Sequence, residues 1–170
     1  LDDLLFYPSE FSLKWDELIQ LNWMDASSKR VAIVKIPNQS YLPLKALENR
    51  IYQRLHSPSE DKADILFMDK AQSFIFLYKE SARDRVKNCF DWIVNKLAQK
   101  NIPVIIALGS QVKTDFSQSY IDAGLALDTI PENETGKIYV EFEKLTIELL
   151  LGRKNYMRQK LFKERVLANL

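Results

Sequence analysis

Residues 65–79 read ILFMDKAQSFIFLYK. Two apolar runs, Ile65–Met68 and Phe74–Tyr78, flank the short polar bridge Asp69-Lys70-Ala71-Gln72-Ser73. This pattern specifies a β-hairpin. Side chains alternate along a strand, which sends Ile65 and Phe67 to one face and Leu66 and Met68 to the other. Strands as apolar as these belong to the core of a sheet, and the flanking sequence supplies the other elements.

Upstream, VAIVKIP (31–37) is a continuous β-branched and apolar run ended by Pro37, the pattern of a strand buried on both faces. Residues 40–56 follow, with Leu44, Leu47, Ile51 and Leu55 recurring at three and four residues as the stripe of a helix. Pro43 suits its first turn and Pro58 prevents continuation. After the hairpin, residues 80–101 place Val86, Cys89, Phe90, Ile93 and Leu97 on one helical face, with Ser81 as the expected cap. PVIIALGS (103–110) reads as another buried strand, 115–130 as a helix and 136–143 as a last strand. Two closing helices are expected at 143–151 and 153–169, and a short amphipathic one at 12–22.

From 31 to 110 the order is strand, helix, strand, strand, helix, strand, the split βαβ or ferredoxin-like pattern. The expected fold class is therefore α+β: a βαββαβ core, its sheet antiparallel with helices on one face, extended by a further helix and strand and by C-terminal helices. The expected organisation is an N-terminal helical linker at 1–30, an α+β domain at 31–151 and a C-terminal helix at 152–170. The chain begins at Leu1 without a Met and is read as a piece of a longer protein.

Charge and composition exclude several classes. A formal net charge of +1 gives no global field toward nucleic acid or membrane. No apolar run approaches the roughly 20 residues of a membrane span, and the acidic start LDDLLFYPSE is unlike a signal peptide. The single Cys89 forms no internal disulfide, in keeping with a reducing cytoplasm.

The common catalytic motifs are absent: the chain has no GxGxxG, GxxxxGK[ST], HExxH or CxxC. Its four glycines (109, 124, 136 and 152) are too dispersed for a phosphate cradle. The lone His56 sits at a predicted helix end, where a cation offsets the dipole. Cys89 lies on an apolar stripe, the setting of an inert thiol. The acids Glu60, Asp61 and Asp64 of SEDKAD read as a solvated loop. The basic run Arg153, Lys154, Arg158, Lys160, Lys163 and Arg165 reads as the wet face of the last helix.

Two features together carry a resemblance: the order of elements, and FSQSYIDAGLAL (116–127) following VIIALGS. The chain over 31–170 resembles the degenerate GGDEF-like middle domain of PucR-type and sugar-diacid (CdaR-type) bacterial transcription regulators. In that family a Ser-Tyr-x-x-Ala helix follows a strand ending in a glycine-containing turn, which corresponds here to Ser119, Tyr120 and Ala123. KLTIELLLG (144–152) is similar to the family's Leu-rich helix, and FKERVLANL (162–170) to its run-out toward a helix-turn-helix. The resemblance implies a homodimer. It also implies a sensor domain upstream that meets the small-molecule effector, and DNA contact only through a C-terminal domain beyond this chain.

The hairpin can be compared with the enzymes of the wider GGDEF family. Their chemistry needs carboxylates on Mg²⁺, one from the end of the first strand and one from the hairpin tip, and a glycine pair at that tip. Here the tip position is Met68, Asp69, Lys70, Ala71 and Gln72. Both glycines are missing, only Asp69 is acidic, and no acid occurs from Val31 to Leu47. The inhibitory Arg-x-x-Asp motif is missing too. The expected function is a non-catalytic, cofactor-free signalling and dimerisation module of a cytoplasmic regulator. The alternative is a small-molecule or nucleotide-binding module near the tip, with Lys35, Lys70 and Lys79 facing an anion.

Overall fold

A computed structural model describes residues 23–37, 44–55, 64–70, 73–131 and 137–145. The apolar runs become strands: β1 (Lys29–Lys35), β2 (Ile65–Lys70), β3 (Ser73–Lys79), β4 (Val104–Leu108) and β5 (Lys137–Glu141). The periodic stretches become helices α1 (Leu44–Leu55), α2 (Arg83–Ala98) and α3 (Phe116–Asp128). The helices expected at 12–22 and 153–169 lie outside the described residues, as does all but the first turn of the one at 143–151.

The five strands form one mixed sheet in the order β2-β3-β1-β4-β5. β1 is central, antiparallel to β3 and to β4, and β2 is antiparallel to β3. The β4–α3–β5 unit adds the fifth strand, parallel to β4. The fold is α+β, with helices on both faces of the sheet.

Helices on one face alone were expected, and the packing corrects this. Ala32, Val34, Phe74, Phe76, Tyr78, Ile65 and Ile106 point to one side, where α1 contributes Leu47, Ile51 and Leu55 and α2 contributes Val86, Cys89, Phe90, Ile93 and Leu97. Val31, Ile75 and Leu77 point to the other side, against Trp23 and Phe116. Ala107 meets Leu125 and Ala126 of α3, with Phe142, on that same side. A strand apolar at every position has two faces to bury, so one helical layer is insufficient. The hairpin alternates as its sequence requires: Phe67 packs with the first cluster, Leu66 and Met68 with the second.

Helix ends show what local signals decide. Asp115 caps α3, accepting from the Gln118 amide at 3.1 Å. α2 ends with Asn101 in the left-handed region, φ 56°. The Asn101 amide donates to the Ala98 carbonyl and the Ile102 amide to the Leu97 carbonyl, both at 3.0 Å, the hydrogen-bond pair of a Schellman motif. Pro103 then blocks any further turn. Ser81 is not a cap: it lies exposed in a 3₁₀ turn (Glu80–Ala82), and Ala82 precedes α2 without a side-chain hydrogen bond.

Candidate functional site

Among the described residues, three places carry polar chemistry: the hairpin end, the α3 junction and the ionic cluster at the start of β1.

At the hairpin end the register is Asp69 opposite Phe74 and Lys70 opposite Ser73. Ser73 pairs on its other side with Lys35, the last residue of β1. One row across three strands therefore reads Lys70, Ser73, Lys35, spanning about 10 Å. Asp69 is exposed and Met68 half-buried; Ala71 and Gln72 lie outside the described residues. The Asp69 carboxylate helps to raise Lys45, whose larger stabilising partner is Glu48 at 2.7 Å. Along this row the residues are lysine, serine and lysine, with Asp69 as the neighbouring acid on β2.

The α3 junction holds Ser119, Tyr120 and Ala123. Ser119 and Ala123 are fully buried. Ser119 Oγ accepts a hydrogen bond from the Val31 amide at 2.9 Å and donates to the Ser110 carbonyl at 2.7 Å. The Gly109 amide donates to the Val31 carbonyl at 2.9 Å. A Cβ on Gly109 would collide with the Ser119 carbonyl, so glycine is required by close approach. Ala123 lets the helix sit close to the sheet, and Tyr120 packs beside Trp23 and Phe116. Asp122, also buried, accepts from Ser110 Oγ and from Gln118 Nε2. Ser119 bonds to β1 four residues before its Lys35 end, about 13 Å from the hairpin row. The two candidate regions are separate.

The third place was not recognised as a cluster in the sequence, where only Lys79 and Asp64 of its members were named. Lys29 and Arg30 extend β1 two residues upstream of the expected strand and are buried. Lys29 Nζ lies 2.8 Å from both Asp25 Oδ1 and the Asp25 carbonyl, 2.9 Å from the Ser27 carbonyl and 3.1 Å from that of Lys113. Lys79 meets Asp25 Oδ2 at 3.1 Å and Asp64 at 3.5 Å, with its ammonium 5.8 Å from the centre of the Trp23 ring. Hydrogen bonds from Lys29 first, then Ser27 and Lys79, hold the Asp25 carboxyl well below the usual carboxylate range. Arg30 reaches Glu80 at 3.1 Å and Glu143 at 3.2 Å. Lys79, which the alternative reading offered to a bound anion, is paired within the chain with Asp25 and Asp64. Asp64, read as part of a solvated loop, is one of its partners. Each buried cation here has a carboxylate, which makes the cluster a lock between the start of β1, the end of β3 and the segment after β5.

The remaining candidates resolve simply. Cys89 is buried, and burial pushes its thiol up to about 12. His56, Glu60, Asp61 and the basic run from Arg153 lie outside the described residues. Among the described residues no three metal-ligating side chains cluster, and no helix is long and apolar enough to cross a membrane.

No protein-family model matches this chain, and a search of curated proteins finds no significant relative.

Proposed function

We propose that this domain is a non-catalytic signal-transducing and dimerisation module of a cytoplasmic PucR/CdaR-type transcription regulator, built on a ferredoxin-like core. The observation that carries the reading is Ser119. The Ser-Tyr-x-x-Ala motif that prompted the resemblance is the element that staples α3 to the Gly109 turn and to β1. Its conformational role accounts for a serine, a small residue four positions on and a glycine in the preceding turn.

Two further observations support it. The order β2-β3-β1-β4, with every neighbouring pair antiparallel, is the order a split βαβ pair generates. Lys35, the last residue of β1, stands where the resemblance would put a cyclase's first-strand carboxylate, and no acid occurs from Val31 to Leu47. In this reading a sensor domain meets the effector, a helix-turn-helix domain meets DNA, and this module passes an orientation change between them as a dimer.

Sedimentation velocity of the 170-residue chain over a concentration series tests the proposal. A monomer–dimer equilibrium is expected, and a strictly monomeric species at the highest concentrations rejects dimerisation through this domain. Extended incubation with GTP and Mg²⁺ or Mn²⁺ tests the non-catalytic part; any cyclic dinucleotide product overturns it.

A further inference from the structure

α1 and α2 pack side by side on the sheet, and their seam is not filled. On α1 the residues along it are Ala46, Arg50 and Arg54, four apart; facing them are Trp92 and Lys96 of α2 and Lys100 just beyond its end, also four apart. Arg54 stacks on the Trp92 ring at 4.6 Å and closes one end of the seam. At the other end the α1 stripe reaches Ala46, whose side chain stops at Cβ. The helices leave a half-open cleft of about 180 Å³ there, over the buried Leu47 and Leu97 and bordered by Trp92, Arg50, Lys96 and Lys100.

Charge and size both define an occupant. Arg50, Arg54, Lys96 and Lys100 concentrate four positive charges on a chain whose net charge is +1. Among the described residues none of the four has a carboxylate within ion-pairing distance; the acid nearest Arg50 in sequence, Glu48, is bonded to Lys45 at 2.7 Å. A cavity of about 150 Å³ holds one benzene ring, so 180 Å³ takes a single ring and a small substituent. Leucine side chains and an indole suit an aromatic ring, and a guanidinium fork suits a carboxylate.

The geometry points to a binding site for a small aromatic carboxylate, one ring in size, between α1 and α2. The ring lies on Leu47 and Leu97 beside Trp92. The carboxylate is held at the mouth by Arg50, and Lys96 and Lys100 add attraction. The site is remote from the Ser119 staple, and it stands independently of the signalling reading. It gives this domain a ligand of its own.

The test is a nuclear magnetic resonance titration of the ¹⁵N-labelled chain with benzoate. Benzamide serves as the uncharged ring, acetate as the anion without a ring and polyglutamate as an acidic macromolecule. The Trp92 indole N–H is assigned by its loss in Trp92→Phe. Benzoate is expected to move that resonance saturably, with a Kd of about 1 mM or tighter. Benzamide and acetate are each expected to bind at least about tenfold more weakly, since each lacks one of the two recognised features. Ala46→Leu fills the cleft with the charge intact and is expected to abolish the shift. Arg50→Gln is expected to weaken it about tenfold, and both positions are exposed, so the fold is retained. Four results would overturn the site: no saturable shift by about 20 mM benzoate, equal binding of benzamide, a benzoate shift that survives Ala46→Leu, or polyglutamate outcompeting benzoate in both the parent chain and Ala46→Leu.

Discussion

Gly109 lies against the backbone of Ser119 with no room for a Cβ between them. Ser119 in turn bonds the Val31 amide, while the Gly109 amide bonds the Val31 carbonyl. One residue of the central strand thus has one backbone group satisfied by the turn after β4 and the other by α3, which ties that turn and that helix to β1.

Glycine substitutions should divide by environment. Gly109→Ala forces backbone apart and is expected to destabilise the chain by about 2–3 kcal/mol. Gly124→Ala, in α3 where an added Cβ meets nothing within 4 Å, is expected to stabilise by about 0.5–1 kcal/mol. Urea denaturation of both variants checks the opposite signs.

Removing the staple should have a local signature. Ser119→Ala leaves the buried Val31 amide without an acceptor and is expected to cost about 1–3 kcal/mol. Hydrogen exchange should show the Val31 amide losing protection beyond what the global destabilisation explains. Equal loss across β1 would assign the effect to general packing.

Acid should loosen the cluster at the start of β1. The Asp25 carboxyl is depressed in the folded chain, so its contribution to stability is complete above the unfolded carboxylate pKa of about 3.9. That contribution is lost as the pH falls from there toward the lower folded value. In Asp25→Asn the chain is expected to be less stable at neutral pH, because Lys29 and Lys79 lose their shared anion, and to show a shallower decline below about pH 4. Thermal melts from pH 7 to pH 2 measure the slope; an unchanged acid limb would remove Asp25 from this role.

The hairpin should tolerate changes at its end and resist them in its strands. Asp69→Ala, at an exposed position, is expected to change stability by less than about 0.5 kcal/mol. Phe76→Ala is expected to cost about 3–5 kcal/mol, because Phe76 is fully buried with ring contacts to Phe67 at 4.9 Å and Phe90 at 5.0 Å. A large loss in Asp69→Ala would reveal a structural role for the tip.

Thiol chemistry should wait on unfolding. With its thiol pushed up to about 12 by burial, Cys89 holds little thiolate at pH 8. Reaction with a disulfide reagent is expected to be at least about a thousandfold slower than for a free cysteine, rising to the free rate in denaturant. Rapid labelling of the native chain would place Cys89 at the surface.

Periodicity alone located the elements. Alternation in the hairpin, the three-and-four spacing in α1 and α2, and the unbroken apolar runs of β1 and β4 are local properties, and the burial they demand is met in place. Where the sequence misled, the reason was distance. The expected first strand stopped short of Lys29 and Arg30 because a charged residue buried in a strand needs partners. Those of Arg30 lie 50 and 113 residues away, at Glu80 and Glu143. The helical layer on the second face was missed because nothing local in α3 says which side of the sheet it takes.

The candidate site divides in the same way. Local residue order is enough to show that the hairpin tip has no glycine pair and no paired acids, and that Ser119, Tyr120 and Ala123 share a helix. What that serine does depends on the assembled fold, because its donor and acceptor come from strand and turn, 88 and nine residues away. The fold alone decided that Lys79 is spent on Asp25 and that a cleft opens beside Ala46. Spacing along a chain specifies which residues share a face, whereas hydrogen bonds, ion pairs and unfilled volume depend on which faces meet.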